Sequence, residues 1–324
     1  MIPNLFHLSS GALALIMTLG LVTSSVKAEN TGEWELIWQD EFDGSSLDEN
    51  KWNFEEDCWG GGNNERQCYT KSKRNVSVSD GTLKITALKK VTKGFAWPKA
   101  WRQGEGNIRG KKRFEKVQRP FSSGRITTRN KGDWLYGRFE ARMRLPLGQG
   151  TWPAFWMLPS KNTYGTWPLS GEIDIMEAIN LGMTCASCAG GREDRVHGTI
   201  HFGNPWPKNN LISHETHLAS DVPGFHDYAM EWYPDEMKWY VDGRLFSTIT
   251  KEEWFSKGAE DGNVYAPFDQ PFHLIINLAV GGKWPEENNN VGFFSMDYPK
   301  SVEVDFVRVY QCPVALSGGQ CVTP

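Results

Sequence analysis

The sequence predicts an all-β fold, a sandwich or barrel of short antiparallel strands. Three observations carry that expectation: apolar and polar residues alternate with period two along most of the chain, no helical stripe runs longer than two turns, and 33 Gly and 17 Pro break the alternating runs into short pieces. In chain order, Leu83 to Leu88 and Gly124 to Arg129 are the first runs that read as strands. Tyr136 to Leu145 is the clearest. There Phe139, Ala141, Met143 and Leu145 alternate with Arg138, Glu140, Arg142 and Arg144, giving one core face and one wet face. Val196 to Phe202 and Tyr228 to Tyr233 follow. Met237 to Val241 and Arg244 to Ile249 flank Asp242-Gly243, a two-residue hairpin turn in which Gly supplies a positive φ. Phe272 to Ala279 and Val302 to Tyr310 complete the set. The segment from Lys89 to Gln118 is basic and poorly patterned and reads as a long surface excursion. His214-Glu215-Thr216-His217 reads as a polar loop, because its histidines are three apart and not the four that place both on one helix face over a metal.

A chain of 324 residues can bury a sizeable core, and the Gly-rich stretches Gly60 to Gly62 and Gly281-Gly282 suit turns and are too short for linkers. One main domain over residues 29–311 is expected. Ala12 to Val22 is apolar but too short to span a bilayer, and Val26-Lys27-Ala28 offers a small-residue cleavage site, so residues 1–28 read as a signal peptide even though only His7 precedes the apolar stretch as a basic group. A secreted or periplasmic location follows. Six cysteines in an exported chain are expected to pair, and they fall as three local couples: Cys58 with Cys68, Cys185 with Cys188, and Cys312 with Cys321, the last closing a tail over 312–324. Connectivity stays open at this level, since six cysteines allow 15 pairings. Cys185-x-x-Cys188 followed by His197-x-x-x-His201 is set aside as a zinc site, because the gap from Cys188 to His197 is shorter than finger spacing and both histidines lie in an alternating run. Lys plus Arg number 35 against 39 Asp plus Glu, and a net charge of -4 gives no footprint for nucleic acid or for an anionic membrane. Fifteen Trp exceed what a core absorbs and suggest flat aromatic platforms of the kind that suit sugar rings.

Glu172-Ile173-Asp174-Ile175-Met176-Glu177 carries the chemistry. In a strand Glu172 and Asp174 point to one face and Ile173 and Ile175 to the other, which leaves Glu177 on the wrong parity. A bulge at Ile175-Met176 would absorb the extra residue and return Glu177 to the face of Glu172 and Asp174. Three acids on one face repel one another, so such a row is not expected without a task. Two carboxylates flanking a bond are the usual equipment of a glycosidase. Four effective steps of roughly 3.3 Å put the α-carbons of Glu172 and Glu177 some 13 Å apart. Side chains leaning inward could close to the roughly 5.5 Å of a retaining enzyme, and the arithmetic leaves the inverting spacing open.

These residues, with five further blocks, resemble glycoside hydrolase family 16 in its laminarinase (endo-β-1,3-glucanase) branch. The blocks are Trp38-Gln39-Asp40-Glu41-Phe42, Tyr136 to Arg142, Trp152 to Pro159, Asn277 to Pro285 and Val304 to Tyr310, so the likeness covers Trp34 to Tyr310. It implies a concanavalin-like β-jelly roll of two curved antiparallel sheets with a concave substrate cleft, and a retaining double displacement in which Glu172 is the nucleophile, Glu177 the acid/base and Asp174 the helper between them. A β-glucan such as laminarin is the implied substrate, cleaved by a monomer without an organic cofactor. Agarose or mixed-linkage glucan is the alternative within the fold, and a non-catalytic glucan-recognition protein the alternative outside catalysis, which the presence of both Glu172 and Glu177 opposes. Trp134, Trp152, Trp156 and Trp284 are candidate sugar platforms, and Asn63, Glu65, His201 and His226 candidate hydrogen-bonding partners; strand parity with Tyr228 and Met230 favours a structural role for His226 and Trp232. The resemblance also implies a structural Ca²⁺ on the convex side with Glu41, Gly81 and Asp305 as oxygen ligands. Asp305 shares parity with Glu303 and not with Val304 and Phe306, which are expected to face the core. Asn75-Val76-Ser77 is a glycosylation sequon where the source modifies exported chains.

Overall fold

The computed structural model describes residues 1, 31–104, 108, 112–218, 222–288, 292, 297–314 and 320–322. Apart from Met1, the expected signal peptide lies outside the described residues. The alternating runs form two eight-stranded antiparallel sheets. The front sheet runs β16 (Asn210–His217), β15 (Arg195–Phe202), β14 (Glu172–Glu177), β13 (Thr151–Pro159), β20 (Phe272–Val280), β10 (Arg125–Thr127) and β3 (Asn53–Phe54), with β11 (Asp133–Trp134) also on β20. The back sheet runs β19 (Arg244–Thr250), β18 (Glu236–Val241), β17 (Phe225–Trp232), β12 (Gly137–Arg144), β21 (Lys300–Gln311), β6 (Thr82–Ala87) and β5 (Val76–Ser79), with β2 (Glu35–Asp40) also on β21. Three small pairs complete the strands: β1 (Thr31–Glu33) with β22 (Gln320–Val322), β4 (Gln67–Tyr69) with β9 (Phe121–Ser123), and β7 (Thr92–Phe95) with β8 (Lys116–Arg119). Two short helices, α1 (Lys99–Arg102) and α2 (Lys283–Glu287), sit in connections.

One apolar layer fills the space between the sheets. Phe155, Met157, Ile173, Ile276 and Leu278 enter it from the front, and Phe139, Ala141, Met143, Met230, Trp239 and Val304 from the back, all fully buried. Each large side chain taken from water contributes about 1.5–3 kcal/mol. This is the period-two pattern in three dimensions. At the β18–β19 hairpin Asp242 (φ 49°) and Gly243 (φ 71°) are both left-handed, the geometry that matches the twist of the flanking strands. All three cysteine couples are joined as expected, Cys58 to Cys68, Cys185 to Cys188 and Cys312 to Cys321.

Several expectations need correction. His214 to His217 is the end of edge strand β16, whose mostly exposed residues hide any alternation because both of its faces are wet. Central strand β13 escaped notice for the opposite reason: Trp152 and Trp156 on its outer face are themselves apolar, so no polar residue marks the period. In β21 the register against β12 slips between Arg142↔Phe306 and Met143↔Val304, which makes Asp305 an extra, bulged residue. Parity therefore changes there. Val307 and Val309 face the core, while Phe306 turns outward beneath the Arg308 guanidinium at 3.8 Å. Asn75 is buried and donates to the Thr86 carbonyl at 2.8 Å and to Ser122 Oγ at 3.1 Å, so the sequon is closed to modification in the folded chain.

Candidate active site

The bulge expected in β14 is present, and Ile175 is the extra residue. On one side Phe155 pairs with Met176 and Trp156 with Asp174; on the other Asp174 pairs with Thr199 and Glu177 with His197. Ile175 and Met176 both go to the core, and Glu177 returns to the outer face with Glu172. The Asp174 carbonyl at the bulge accepts the Trp239 indole N–H at 3.0 Å from the opposite sheet. Trp239 approaches so closely because Gly198 in β15 has no side chain: a Cβ there would lie 2.5 Å from the indole. A hydrogen bond across the sandwich thus fixes the backbone that aims the acids.

The carboxylates have different neighbours. Glu172 Oε2 accepts the Trp167 indole N–H at 2.9 Å, and its other oxygen lies 3.7 Å from His201 Nε2. Asp174, buried between the two glutamates along the strand, lies 3.4 Å from the same nitrogen. Glu177 Oε1 accepts the Trp152 indole N–H at 2.9 Å. Burial and the Asp174 charge push the Glu172 carboxyl up to about 7, against the opposing pull of His201 and Trp167. Burial and the Asp174 charge raise Glu177 well above the usual carboxylate range, with the Trp152 hydrogen bond as the main restraint. Burial would lower His201, but the neighbouring Asp174, Glu172 and Glu177 carboxylates push it up to about 9. At neutral pH the imidazolium therefore stands nearest Glu172 and Asp174, while burial and the Asp174 charge favour the protonated form of Glu177.

The other sequence candidates divide. Trp284 at α2 packs edge-on against Trp152 with centroids 5.3 Å apart and against His197 at 5.0 Å. Trp156 donates to Asn277 Oδ1 at 2.7 Å, and the Arg125 guanidinium lies 5.0 Å from its ring centre. The Asn63 carbonyl accepts the Lys283 N–H at 2.8 Å, which ties its turn to α2 beside Trp284. Glu65 is buried and accepts from Gln67 at 2.6 Å, so it braces the wall of the site from beneath. Trp134 is not a platform: it packs into the core edge-on to Trp38 and Phe139, because the first residues of β20 hold β11 against the inner layer. His226 is buried in the back sheet and bonds Asp242 Oδ2 at 2.7 Å, and Trp232 is wholly in the core, both in structural roles. Sequence reasoning missed Trp167, Arg125 and Asn277. Trp167 lies five residues before Glu172, and the apolar-poor segment around it offered no periodicity from which to place it.

Glu41, Gly81 and Asp305 fall at one junction of the back sheet. β2 pairs with β21 down to Asp40↔Val307, β6 takes over at Leu83↔Val304, and the bulged Asp305 lies between. Both Glu41 oxygens accept from Arg308 at 2.8 Å, and Asp305 lies 3.5 Å from Arg142.

A family model for glycosyl hydrolases family 16 matches residues 63–300. The chain belongs to this family. Its two open antiparallel sheets are the jelly roll expected of such a hydrolase. Among related proteins, the glucan endo-1,3-beta-glucosidase A1 of Niallia circulans is 41% identical over 287 residues, which are 85% of this chain but 38% of that longer protein. The beta-glucanase of Rhodothermus marinus is 39% identical over 295 residues, 89% of this chain and 88% of the relative. The X-ray structure of the laminarinase from Rhodothermus marinus superposes with a TM-score of 0.68 at 37% identity, covering 87% of this chain and 98% of that one.

Proposed function

We propose that this family 16 hydrolase is an exported endo-acting β-1,3-glucanase that works by retaining double displacement. The observation that carries the reading is the bulge at Ile175, which puts two long carboxylates on one face in unequal surroundings. Glu172, beside the His201 cation, is the better anion and attacks the anomeric carbon. Glu177, the more strongly raised acid, gives its proton to the departing glycosidic oxygen. Once Glu172 is esterified its charge is gone, and with it one of the charges that raise Glu177. Glu177, having given up its proton, is then more easily held as a carboxylate, the form that can act as base for the water that cleaves the glycosyl-enzyme. Asp174 anchors His201 throughout, and Trp152, Trp167 and Trp284 supply apolar faces around the acids.

The substrate class comes to this chain from its similarity to proteins named endo-1,3-beta-glucosidase and laminarinase. Export is supported by the apolar N-terminal stretch and by three disulfides, and a monomer is the working state in this reading. It also includes a structural Ca²⁺ held by Glu41, Gly81 and Asp305. Glu41 and the bulged Asp305 are oxygen donors of the kind a hard cation takes, placed where β2 gives way to β6 along β21; both are paired with arginines there, Glu41 with Arg308 and Asp305 with Arg142, so the ion would compete with those pairs. The test of function is release of reducing ends from laminarin, lichenan, agarose and carrageenan. Laminarin should be the best substrate, and Glu172→Gln and Glu177→Gln should each abolish its turnover while still binding laminari-oligosaccharides. Preference for agarose or carrageenan would reject the substrate class, and wild-type activity in either variant would reject the mechanism.

A further inference from the structure

We propose that the part of the surface excursion formed by β7 and α1 extends the substrate cleft with a distal sugar platform formed by Trp59 and Trp101, an inference that rests on the β-1,3-glucan reading above. The excursion is firmly attached. Cys58 N–H donates to the Phe95 carbonyl at 2.7 Å, Arg119 Nε donates to the Cys58 carbonyl at 3.2 Å, and a Cβ on Gly94 would come within 2.7 Å of Cys58 Sγ in the Cys58–Cys68 disulfide. Two of its cations are engaged within it. Arg102 Nε donates to the Trp97 carbonyl at 3.0 Å with its guanidinium 3.9 Å from the Phe95 ring centre, and Lys116 lies 5.0 Å from that same centre. What the excursion presents is aromatic. Trp101 lies 4.7 Å from Trp59 and 5.6 Å from Trp97, centroid to centroid. Trp97 is the buried foot of this stack, whereas Trp59 and Trp101 keep part of their surface in solvent.

The turn that carries Trp59 reaches the aromatic wall of the candidate active site. Trp152, bonded to Glu177, meets Trp284 edge-on, and α2 is tied through Lys283 to Asn63. Next to Asn63, a Cβ on Gly62 would lie 3.7 Å from the Trp59 ring. From Trp59 to Asn63 the chain runs through Gly60, Gly61 and Gly62, all left-handed (φ 74°, 60° and 79°), and a side chain on Gly61 would strike Glu65 Oε1. That floor carries no side chain. A glucan long enough to leave the acids past Trp152 and Trp284 would cross it to a second aromatic face, which is already ordered by a disulfide and so costs little entropy to engage.

Steady-state kinetics on laminari-oligosaccharides of increasing length, using the full chain, tests the platform. Trp101→Leu keeps apolar volume against Trp97 but removes the flat face, and Trp101→Phe keeps a face. The Leu variant should raise KM on the longest oligosaccharides by roughly threefold to tenfold, the range of one aromatic contact, with kcat and the shortest substrate unchanged, and the Phe variant should restore most of it. Trp59→Leu should give the same length dependence and decides the matter where Trp101→Leu does not fold. A loss equal at every length, or no loss on long chains, overturns the platform and leaves the cleavage assignment standing. A wild-type chain inert on every β-1,3-glucan overturns the substrate class, and the platform with it.

Discussion

Replacing His201 with Gln removes the positive charge that holds Glu172 in its ionised form. The imidazole Nε2 lies 3.7 Å from Glu172 and 3.4 Å from Asp174, on side chains that are 19%, 17% and 4% exposed. At an effective dielectric near 20, unit charges at that distance interact by about 4.5 kcal/mol, a ceiling of about three pH units on the Glu172 shift. Asp174 shares the cation, and water entering the vacated volume screens the remainder, so a rise of about one unit is the expected outcome. The sign follows from the chemistry. Loss of a neighbouring cation favours the neutral carboxyl, and Glu172 must be ionised to attack. The acidic limb of kcat/KM against pH should therefore move upward from near 7, where the Glu172 carboxyl already stands. The basic limb, set by Glu177, should move up less, because the histidine acts on it as the weaker of its restraints. Activity of His201→Gln should be lowest in mildly acidic buffer and recover partly on raising the pH. An acidic limb that stays in place or moves down would refute the assignment of His201 as the counter-ion of the nucleophile.

Glu172 also makes stability depend on pH. Its folded carboxyl is raised from 4.5 to about 7, so its contribution is fully present below the unfolded value and lost as pH rises through 7, at most roughly 3 kcal/mol. Glu172→Gln should match the wild-type thermal midpoint near pH 4 and exceed it by several degrees at pH 8, measured by calorimetry; equal midpoints at both pH values would remove the burial argument. Trp134→Ala should destabilise by about 3–5 kcal/mol, as a core truncation does, while leaving KM for laminarin unchanged in the folded variant, and a raised KM would return Trp134 to the cleft. Excess chelator should lower the thermal midpoint and added calcium restore it if Glu41, Gly81 and Asp305 hold the ion; an unchanged midpoint in both removes that site alone.

Much of the fold was legible because one face of most strands is wet, and alternation reports such strands directly. Tyr136 to Leu145 became β12, and Asp242-Gly243 became the β18–β19 turn, each within a residue or two of the predicted bounds. Legibility ended where that contrast vanished, in β13 with tryptophans on its outer face and in β16 with polar residues on both. The bulge at Ile175 could be read because three acids and two isoleucines in six residues leave few consistent arrangements. The bulge at Asp305 left only the adjacent Phe306 and Val307 as a sign that the phase of alternation shifts, and only the register against β12 places Phe306 outside. Site residues carried by long-range contacts were the least legible. Nothing in the spacing of Trp167, Arg125 or Trp239 encodes the indole bonded to Glu172, the cation over Trp156 or the donor to the Asp174 carbonyl. Tryptophan abundance pointed to platforms in general, but burial decided between them and sent Trp134 to the core.

The anomeric configuration of the first product bears most directly on the claim that Glu172 attacks carbon while Glu177 moves the proton. Proton NMR of laminari-oligosaccharide hydrolysis, recorded before mutarotation, should detect the β-anomer first. First appearance of the α-anomer would mean that water and not Glu172 attacks, and would contradict the double displacement.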